Sequence, residues 1–157
     1  MRYIQTPVLK FEELSDKAKE RATNTLMDGY FWGEDSLASL EAFASQFGVK
    51  VMNYSYAPFG NADIETNAEN SHFRGLTLKK AKELPEYPTG YCLDHSLREV
   101  FIKEFERTGD ALQAFNEAMD AGIKEARDDG EAQYSEENMQ DHCEANNYEF
   151  TENGEIV

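Results

Sequence analysis

The sequence predicts an α+β fold in which a small, mainly antiparallel sheet packs against roughly four to six helices. Three observations predict it. Apolar residues recur at helical spacing in several segments, and residues 49–55 place Val49, Val51 and Asn53 on one face of a strand. Near the C-terminus, Asn153-Gly154 is a dipeptide favoured by type I′ hairpin turns. The chain of 157 residues has a length typical of one domain and contains no internal repeat. We therefore expect a single acidic α+β domain over residues 1–157.

The first third of the chain is expected to form a strand and two helices. Residues 2–11 predict a strand, and Pro7 indicates an edge position or a bulge because proline cannot donate to a ladder. Ser15 is the expected N-cap of a helix that ends near residue 29. A second helix is expected to start within residues 33–36, with Gly48 as its C-terminal stop.

The remaining two thirds predict further helices and a terminal hairpin. A strand is expected over residues 49–55 and a further strand near Ile64, giving roughly three to five strands in the chain. Asp110 and Ser135 are expected to cap the last two helices. The other expected elements are a short helix at 76–84, a longer helix at about 93–107 and a C-terminal hairpin that pairs about 148–152 with 155–157.

The charge of the chain is large and uneven. Thirty-one acidic residues oppose fifteen Lys and Arg, for a net charge of −16. Residues 1–90 hold 13 acids and 10 bases, whereas residues 91–157 hold 18 acids and 5 bases. Nucleic acid and anionic membranes are disfavoured as direct ligands because this surface repels them, whereas basic proteins are favoured. Acidity also serves solubility alone, and that interpretation stays open.

Composition places the protein among globular proteins of a reducing compartment. Apolar residues make up 40% of the chain and aromatic residues 12%, enough for a core despite a mean hydropathy of −0.70. No stretch approaches the roughly 20 apolar residues of a membrane span, and the N-terminus lacks the apolar run of a secretory signal. Two cysteines are too few for a disulfide framework. We expect a cytoplasmic protein with reduced thiols.

The motifs of common catalytic and cofactor sites are absent from the sequence. It contains no phosphate-binding glycine loop, no nucleophile elbow, no zinc-protease motif and no calcium loop. Cys92 and His95, together with His142 and Cys143, have a spacing that zinc ligands use, but half-buried cysteines on helices also serve as core residues. Cys92 and His95 alone do not show the activation that a catalytic thiol needs. We expect no catalytic site, no cofactor and no metal.

Acidic residues are most concentrated in the region between residues 117 and 141. Most charge runs are solvated helix faces, yet repeated like charges within a turn cost a few tenths of a kcal/mol per pair. One physical reason to keep them is imitation of a phosphate array that meets Lys and Arg on a partner. The expected partner-binding residues are Glu117, Asp120, Glu125, Asp128, Asp129, Glu131, Glu136 and Glu137.

Three segments resemble a family of small acidic bacteriophage and prophage proteins, some of which are labelled antitoxin-like. They are PVLKFEELSDKAKERA, TGYCLDHSLREVFIKEFERTGDALQAFNEA and HCEANNYEFTENGEIV, which together span much of the chain. The family offers no catalytic residues to transfer. The resemblance implies a small phage protein that binds and disables a host protein.

The sequence therefore favours a binding protein over an enzyme. The leading hypothesis is a phage- or prophage-type inhibitor of a basic host protein, namely a nucleic-acid-binding or defence component, through an acidic surface that imitates DNA. The alternatives are an antitoxin-like neutraliser of a toxin and a small structural or metal-binding phage protein. A homodimer is also allowed, with Tyr30, Phe31 and Trp32 as a candidate contact or as core residues.

Overall fold

The computed structural model describes residues 1–3, 5–29 and 33–157. Within these residues the chain forms six α-helices and one two-stranded antiparallel sheet. The predicted α+β class with a small sheet is thereby confirmed. Two strands replace the expected three to five, and Tyr30, Phe31 and Trp32 lie outside the described residues.

The chain divides into two compact units. The terminal unit combines Met1–Phe31 with Glu131–Val157, and the central unit comprises Trp32–Gly130. The two chain ends thus belong to the same unit although they are far apart in sequence. Whether the units behave as one domain stays a prediction.

The terminal unit contains two helices, each with the cap that the sequence indicates. Helix α1 spans Asp16–Gly29, and Ser15 Oγ accepts a hydrogen bond from the N–H of Ala18. Helix α6 spans Glu136–Ala145, and Ser135 Oγ accepts one from the N–H of Asn138. Both predicted helix starts are confirmed to within one residue.

The predicted strand at residues 2–11 is wrong. Among the described residues of this segment only Leu9 pairs, in an isolated antiparallel bridge with Phe150, and a 3-10 turn over Phe11–Glu13 follows. The rings of Phe11 and Phe150 meet edge to face at 6.1 Å, and both side chains are buried. Phe11 thus anchors this segment to the C-terminal segment by side-chain burial rather than by a ladder, whereas Tyr3 and Val8 are exposed.

The predicted C-terminal hairpin forms in a shortened version. Gly154, at φ +83°, donates its N–H to the carbonyl of Thr151, and the chain then returns to form one bridge between Phe150 and Ile156. The N–H of Val157 donates to the carbonyl of Glu149. The turn lies one residue earlier than the predicted type I′ turn: Thr151 and Gly154 close it, Glu152 and Asn153 are its central residues, and of the Asn153-Gly154 pair only Gly154 has a positive φ. Its arms pair at a single bridge instead of along strands.

The central unit holds the other helices, each close to its expected position. Asp110 caps the longest of them through a hydrogen bond from the N–H of Gln113 to Oδ1. Gly48, at φ +72°, follows the turn that ends the first of them, as expected. The bounds are α2 Glu34–Ser45, α3 Leu78–Lys82, α4 Cys92–Thr108 and α5 Ala111–Gln133, the last three residues of α5 being assigned to the terminal unit.

The sheet of the central unit is a two-stranded antiparallel ribbon. Strand β1 spans Val51–Tyr56 and strand β2 spans Ala62–Thr66, which confirms the strand predicted near Ile64. Tyr56 pairs with Ala62, and their shared face packs towards the core. A register irregularity follows Val51.

Phenylalanine rings form the centre of the core of the central unit. Phe43 on α2 stacks on Phe115 of α5 at 5.8 Å and meets Phe101 of α4 edge to face at 5.8 Å. Phe47 reaches Phe101 at 5.1 Å and Phe73 at 5.2 Å. The apolar stripes predicted for α2, α4 and α5 therefore converge on one cluster.

Among the described residues, no helix is long and apolar enough to cross a membrane.

Candidate functional site

The two structural units carry equal net charge, although the two parts of the sequence do not. The central unit holds 18 acids and 10 bases, and the terminal unit holds 13 acids and 5 bases, so each carries a net charge of −8. Within the terminal unit, residues 1–31 are balanced, with 5 acids and 5 bases. Residues 131–157 carry 8 acids and no Lys or Arg. Any Lys or Arg that pairs with an acid of the C-terminal segment must therefore come from another part of the chain.

The α5 acids that the sequence singles out are partly neutralised. Lys124 Nζ contacts Asp120 Oδ2 at 2.8 Å, and Arg127 contacts Asp128 Oδ1 at 3.1 Å. Glu117 shares a face of the helix with Asp120, because residues three apart are neighbours on a helix surface. This face therefore alternates in sign instead of presenting an unbroken row of carboxylates.

Glu125 and Asp129 occupy a less polar environment than the other α5 acids. Burial raises the pKa of Glu125, although a hydrogen bond from Ser96 Oγ at 3.0 Å opposes that rise. Burial also raises the pKa of Asp129, and the neighbouring Asp128 carboxylate adds to the rise. Burial likewise raises the pKa of Tyr91, against a hydrogen bond with Ser36. Glu125 is thus a half-buried acid on the flank of α5, whereas the Asp129 side chain is exposed.

The three candidate acids of the terminal unit have different surroundings. Glu131 is half-buried near the end of α5. Glu136, at the start of α6, contacts Lys19 Nζ of α1 at 2.6 Å, which joins residues 117 positions apart in sequence. Glu137 is exposed, and among the described residues it lies in no ion pair.

Glu137 belongs to an acidic face that the sequence interpretation did not single out. Asp141 and Glu144 follow it at i+4 and i+7 on α6, and all three side chains are exposed. Met139 and Cys143 lie on the opposite, buried side at 3% and 2% exposure. In the described part of the chain no Lys, Arg or His lies within ion-pair distance of these carboxylates; Glu144 accepts a 3.3 Å hydrogen bond from Gln140. We call Glu137, Asp141 and Glu144 the α6 acidic face.

The i, i+4, i+7 spacing of the α6 acidic face is readable in the sequence. Two features of the sequence identify this face. The three acids lie on the side of α6 opposite Met139 and Cys143, and no Lys or Arg follows Arg127 in the chain.

The cysteine and histidine pairs do not form a metal centre in the described residues. No group of three or more His, Cys, Asp or Glu side chains there could hold a metal ion. Cys92 is exposed, the ring of His95 stacks on Tyr87 at 5.7 Å, and Cys143 is buried in the terminal unit. His142 is half-buried beside the ring of Tyr148 at 5.9 Å. Cys143 is therefore a core side chain, and the four-residue zinc hypothesis does not fit this arrangement.

A shallow cavity lies beside the balanced half of the terminal unit. Ser15, Lys17, Arg21 and Asn153 contribute to its wall, together with Glu152, and its volume is about 150 Å³. Small-molecule sites usually enclose about 300–1,000 Å³. The cavity is thus small. Its wall includes two cationic side chains, Lys17 and Arg21, which the acidic face lacks.

Comparison with known proteins identifies no relative from which a function could be proposed. No protein-family model, curated protein or solved structure matches this chain.

Proposed function

We propose that this protein binds a basic protein partner through the α6 acidic face. The observation that carries the proposal is the segment 131–157, whose 8 acids include three exposed carboxylates in one row and whose sequence has no Lys or Arg. The α5 acids contribute at most a secondary surface, because Lys124 and Arg127 contact two of them.

The physical basis is charge on a rigid support. Residues four apart on a helix place their Cβ atoms about 5–6 Å apart, so the α6 acidic face repeats negative charge at a short, fixed interval. Lys and Arg side chains that normally contact phosphates can form ion pairs with such a row of carboxylates. Long-range electrostatic attraction also raises the association rate. Nucleic acid and anionic membranes are repelled by the same surface.

The biological setting of the proposal follows the resemblance to small acidic phage proteins. The partner would be a nucleic-acid-binding or defence protein of the bacterial host, inhibited in the host cytoplasm where its phosphate-binding groove is occupied. The protein would act by occlusion, without a catalytic step.

The test compares three proteins in pull-downs from lysate of a bacterial host. The first is the unchanged chain, and the second carries Glu137→Lys, Asp141→Lys and Glu144→Lys. The third is a matched control with the same change in net charge at exposed acids on other elements: Glu65→Lys, Glu83→Lys and Glu106→Lys. Each is applied at low and at high salt, and circular dichroism checks that all three are folded.

The expected result is a basic protein retained at low salt by the unchanged chain and by the control, and lost by the α6 variant. Screening at high salt should release it. Equal retention by the unchanged chain and the α6 variant would refute the role of the α6 acidic face. A retained toxin in place of a nucleic-acid-binding protein would support the antitoxin-like alternative.

A further inference from the structure

Strand β1 is unusual in this protein because it carries no charge. Residues 51–62 contain no Asp, Glu, Lys or Arg and form the longest uncharged stretch of the chain. The four central residues of β1, from Met52 to Ser55, are all exposed; Met52 is 63% exposed and Tyr54 46%. An uncharged strand with two large, exposed side chains, Met52 and Tyr54, is thus presented to solvent by a protein of net charge −16.

The outer edge of β1 is open within the described residues. The sheet there has two strands, and β1 pairs only with β2. The N–H of Tyr54 donates to Asn53 Oδ1 at 2.9 Å, a local bond that a pairing strand would replace. Natural edge strands are commonly protected by charges or prolines, and β1 has neither between Val51 and Tyr56.

The charged side chains of the ribbon lie on the other strand. Asp63 and Glu65 of β2 are exposed, and they pair across the ladder with Ser55 and Asn53. A strand added at the outer edge of β1 would therefore meet uncharged neighbours first. A basic partner gains no ion pair at this edge, whereas a second copy of this chain meets its least repulsive surface.

We propose that β1 is a self-association edge at which two copies pair antiparallel, strand β1 against strand β1, into a four-stranded sheet. Such a two-fold arrangement is isologous, since each copy offers the same strand. The two β2 strands would then lie three interstrand spacings apart, roughly 14 Å, which exceeds the Debye length of about 8 Å at physiological salt. The acids of β2 would repel weakly, and a ribbon that is marginal as two strands would gain the support of four.

Salt separates this association from the proposed binding of a basic partner. Screening lowers the repulsion between two acidic copies, so dimerisation should strengthen by about fivefold in affinity between 50 mM and 500 mM NaCl, whereas partner binding should weaken. Self-association and partner binding can therefore be refuted independently of each other.

The test is sedimentation equilibrium of the full chain at low and at high salt. The variant Met52→Glu/Ser55→Glu places like charges near the two-fold axis and should weaken dimerisation by about tenfold or more. The control Gln113→Glu/Asn116→Glu adds the same charge at exposed α5 positions and should leave it near the unchanged value. Circular dichroism confirms that both variants are folded.

Cysteine cross-linking tests the strand register directly. Single cysteines at positions 52, 53, 54 and 55, each in a Cys92→Ser background, should give disulfide-linked dimers with a maximum at the residue nearest the axis, and Gln113→Cys should give few. A monomer at all salt concentrations would overturn the proposal. So would a dimer that is indifferent to Met52→Glu/Ser55→Glu and gives no position-dependent cross-link.

Discussion

Gly154 lies directly against the backbone of Ala18 on α1. A Cβ atom built at Gly154 would overlap the carbonyl oxygen of Ala18, and the glycine also has φ +83°, a conformation that L side chains rarely adopt. The C-terminal turn is therefore seated on the first turn of α1 only because its residue has no side chain. This contact packs the C-terminal turn against α1 within the terminal unit.

Gly154→Ala should destabilise the terminal unit by about 2–4 kcal/mol, because the clash adds to the cost of a positive φ. Urea denaturation of the purified variants measures the loss. Gly90→Ala is the matched control, since Gly90 has φ +82° but no atom within 4 Å of the added Cβ. The control should lose about 1 kcal/mol. Equal losses in the two variants would contradict the seating of the turn on α1.

Asp94 is a buried carboxylate that organises the loop before α4. It is 2% exposed and accepts hydrogen bonds from the N–H of Thr89 at 2.8 Å, from Thr89 Oγ1 at 2.8 Å and from the N–H of Gly90 at 3.0 Å. Asp94→Ala should cost about 2–4 kcal/mol, because several donors lose their acceptor at once. Thermal unfolding monitored by circular dichroism measures this. Asp110→Ala, which removes one exposed helix cap, should cost about 1 kcal/mol, and a similar loss for both would refute the role of Asp94.

Glu125→Gln should stabilise the protein at neutral pH. Burial raises the pKa of Glu125 above 4.5, so the folded state holds this proton more tightly than the unfolded state, and stability falls as pH rises through the interval between the two pKa values. Gln imitates the protonated form. The variant should match the unchanged chain below about pH 4 and exceed it at pH 7 by roughly a few tenths of a kcal/mol, after allowance for solvent screening.

Glu104→Gln should change the stability at neutral pH in the opposite direction to Glu125→Gln. A hydrogen bond from Arg107 lowers the pKa of Glu104, so its carboxylate contributes stability above its unfolded pKa, and that contribution disappears as pH falls. The Gln variant should therefore be less stable than the unchanged chain at pH 7 and equal to it in acid. Urea titrations at about pH 3 and at pH 7 test both variants, because the lowered pKa keeps the Glu104 carboxylate ionised until the pH falls well below 4.5. Shifts of the same sign in the two would contradict the assigned environments.

The two thiols should react at very different rates. Cys92 is exposed, whereas Cys143 is 2% exposed and burial raises its pKa, which lowers its thiolate fraction. A disulfide reagent such as Ellman's should label about one thiol per folded chain quickly and the second only on unfolding. Fast labelling of both, or protection of both by one bound zinc per chain, would contradict the placement of Cys143 in the core.

The helices of this protein could be located from local sequence. Ser15, Asp110 and Ser135 each cap a helix through a hydrogen bond to the N–H three residues later, an interaction set by neighbouring residues. The Asn153-Gly154 dipeptide locates the terminal turn to within one residue but not its type, since Gly154 has a positive φ and Asn153 does not. The strand expected at residues 2–11 is wrong because its apolar residues do not all face the core: Phe11 is buried, whereas Tyr3 and Val8 are exposed and Leu9 pairs at a single bridge.

The sequence by itself determined the helices, their buried stripes, the terminal turn and the excess of acid. Only the tertiary structure decided which acids remain unopposed. It brings Lys19 to Glu136, and Lys10 to Glu149 at 3.3 Å, across more than a hundred residues, while the α6 acidic face receives no cation in the described part of the chain. Periodicity and caps depend on neighbours within a few residues, but the partner of a charge depends on where the chain returns in space.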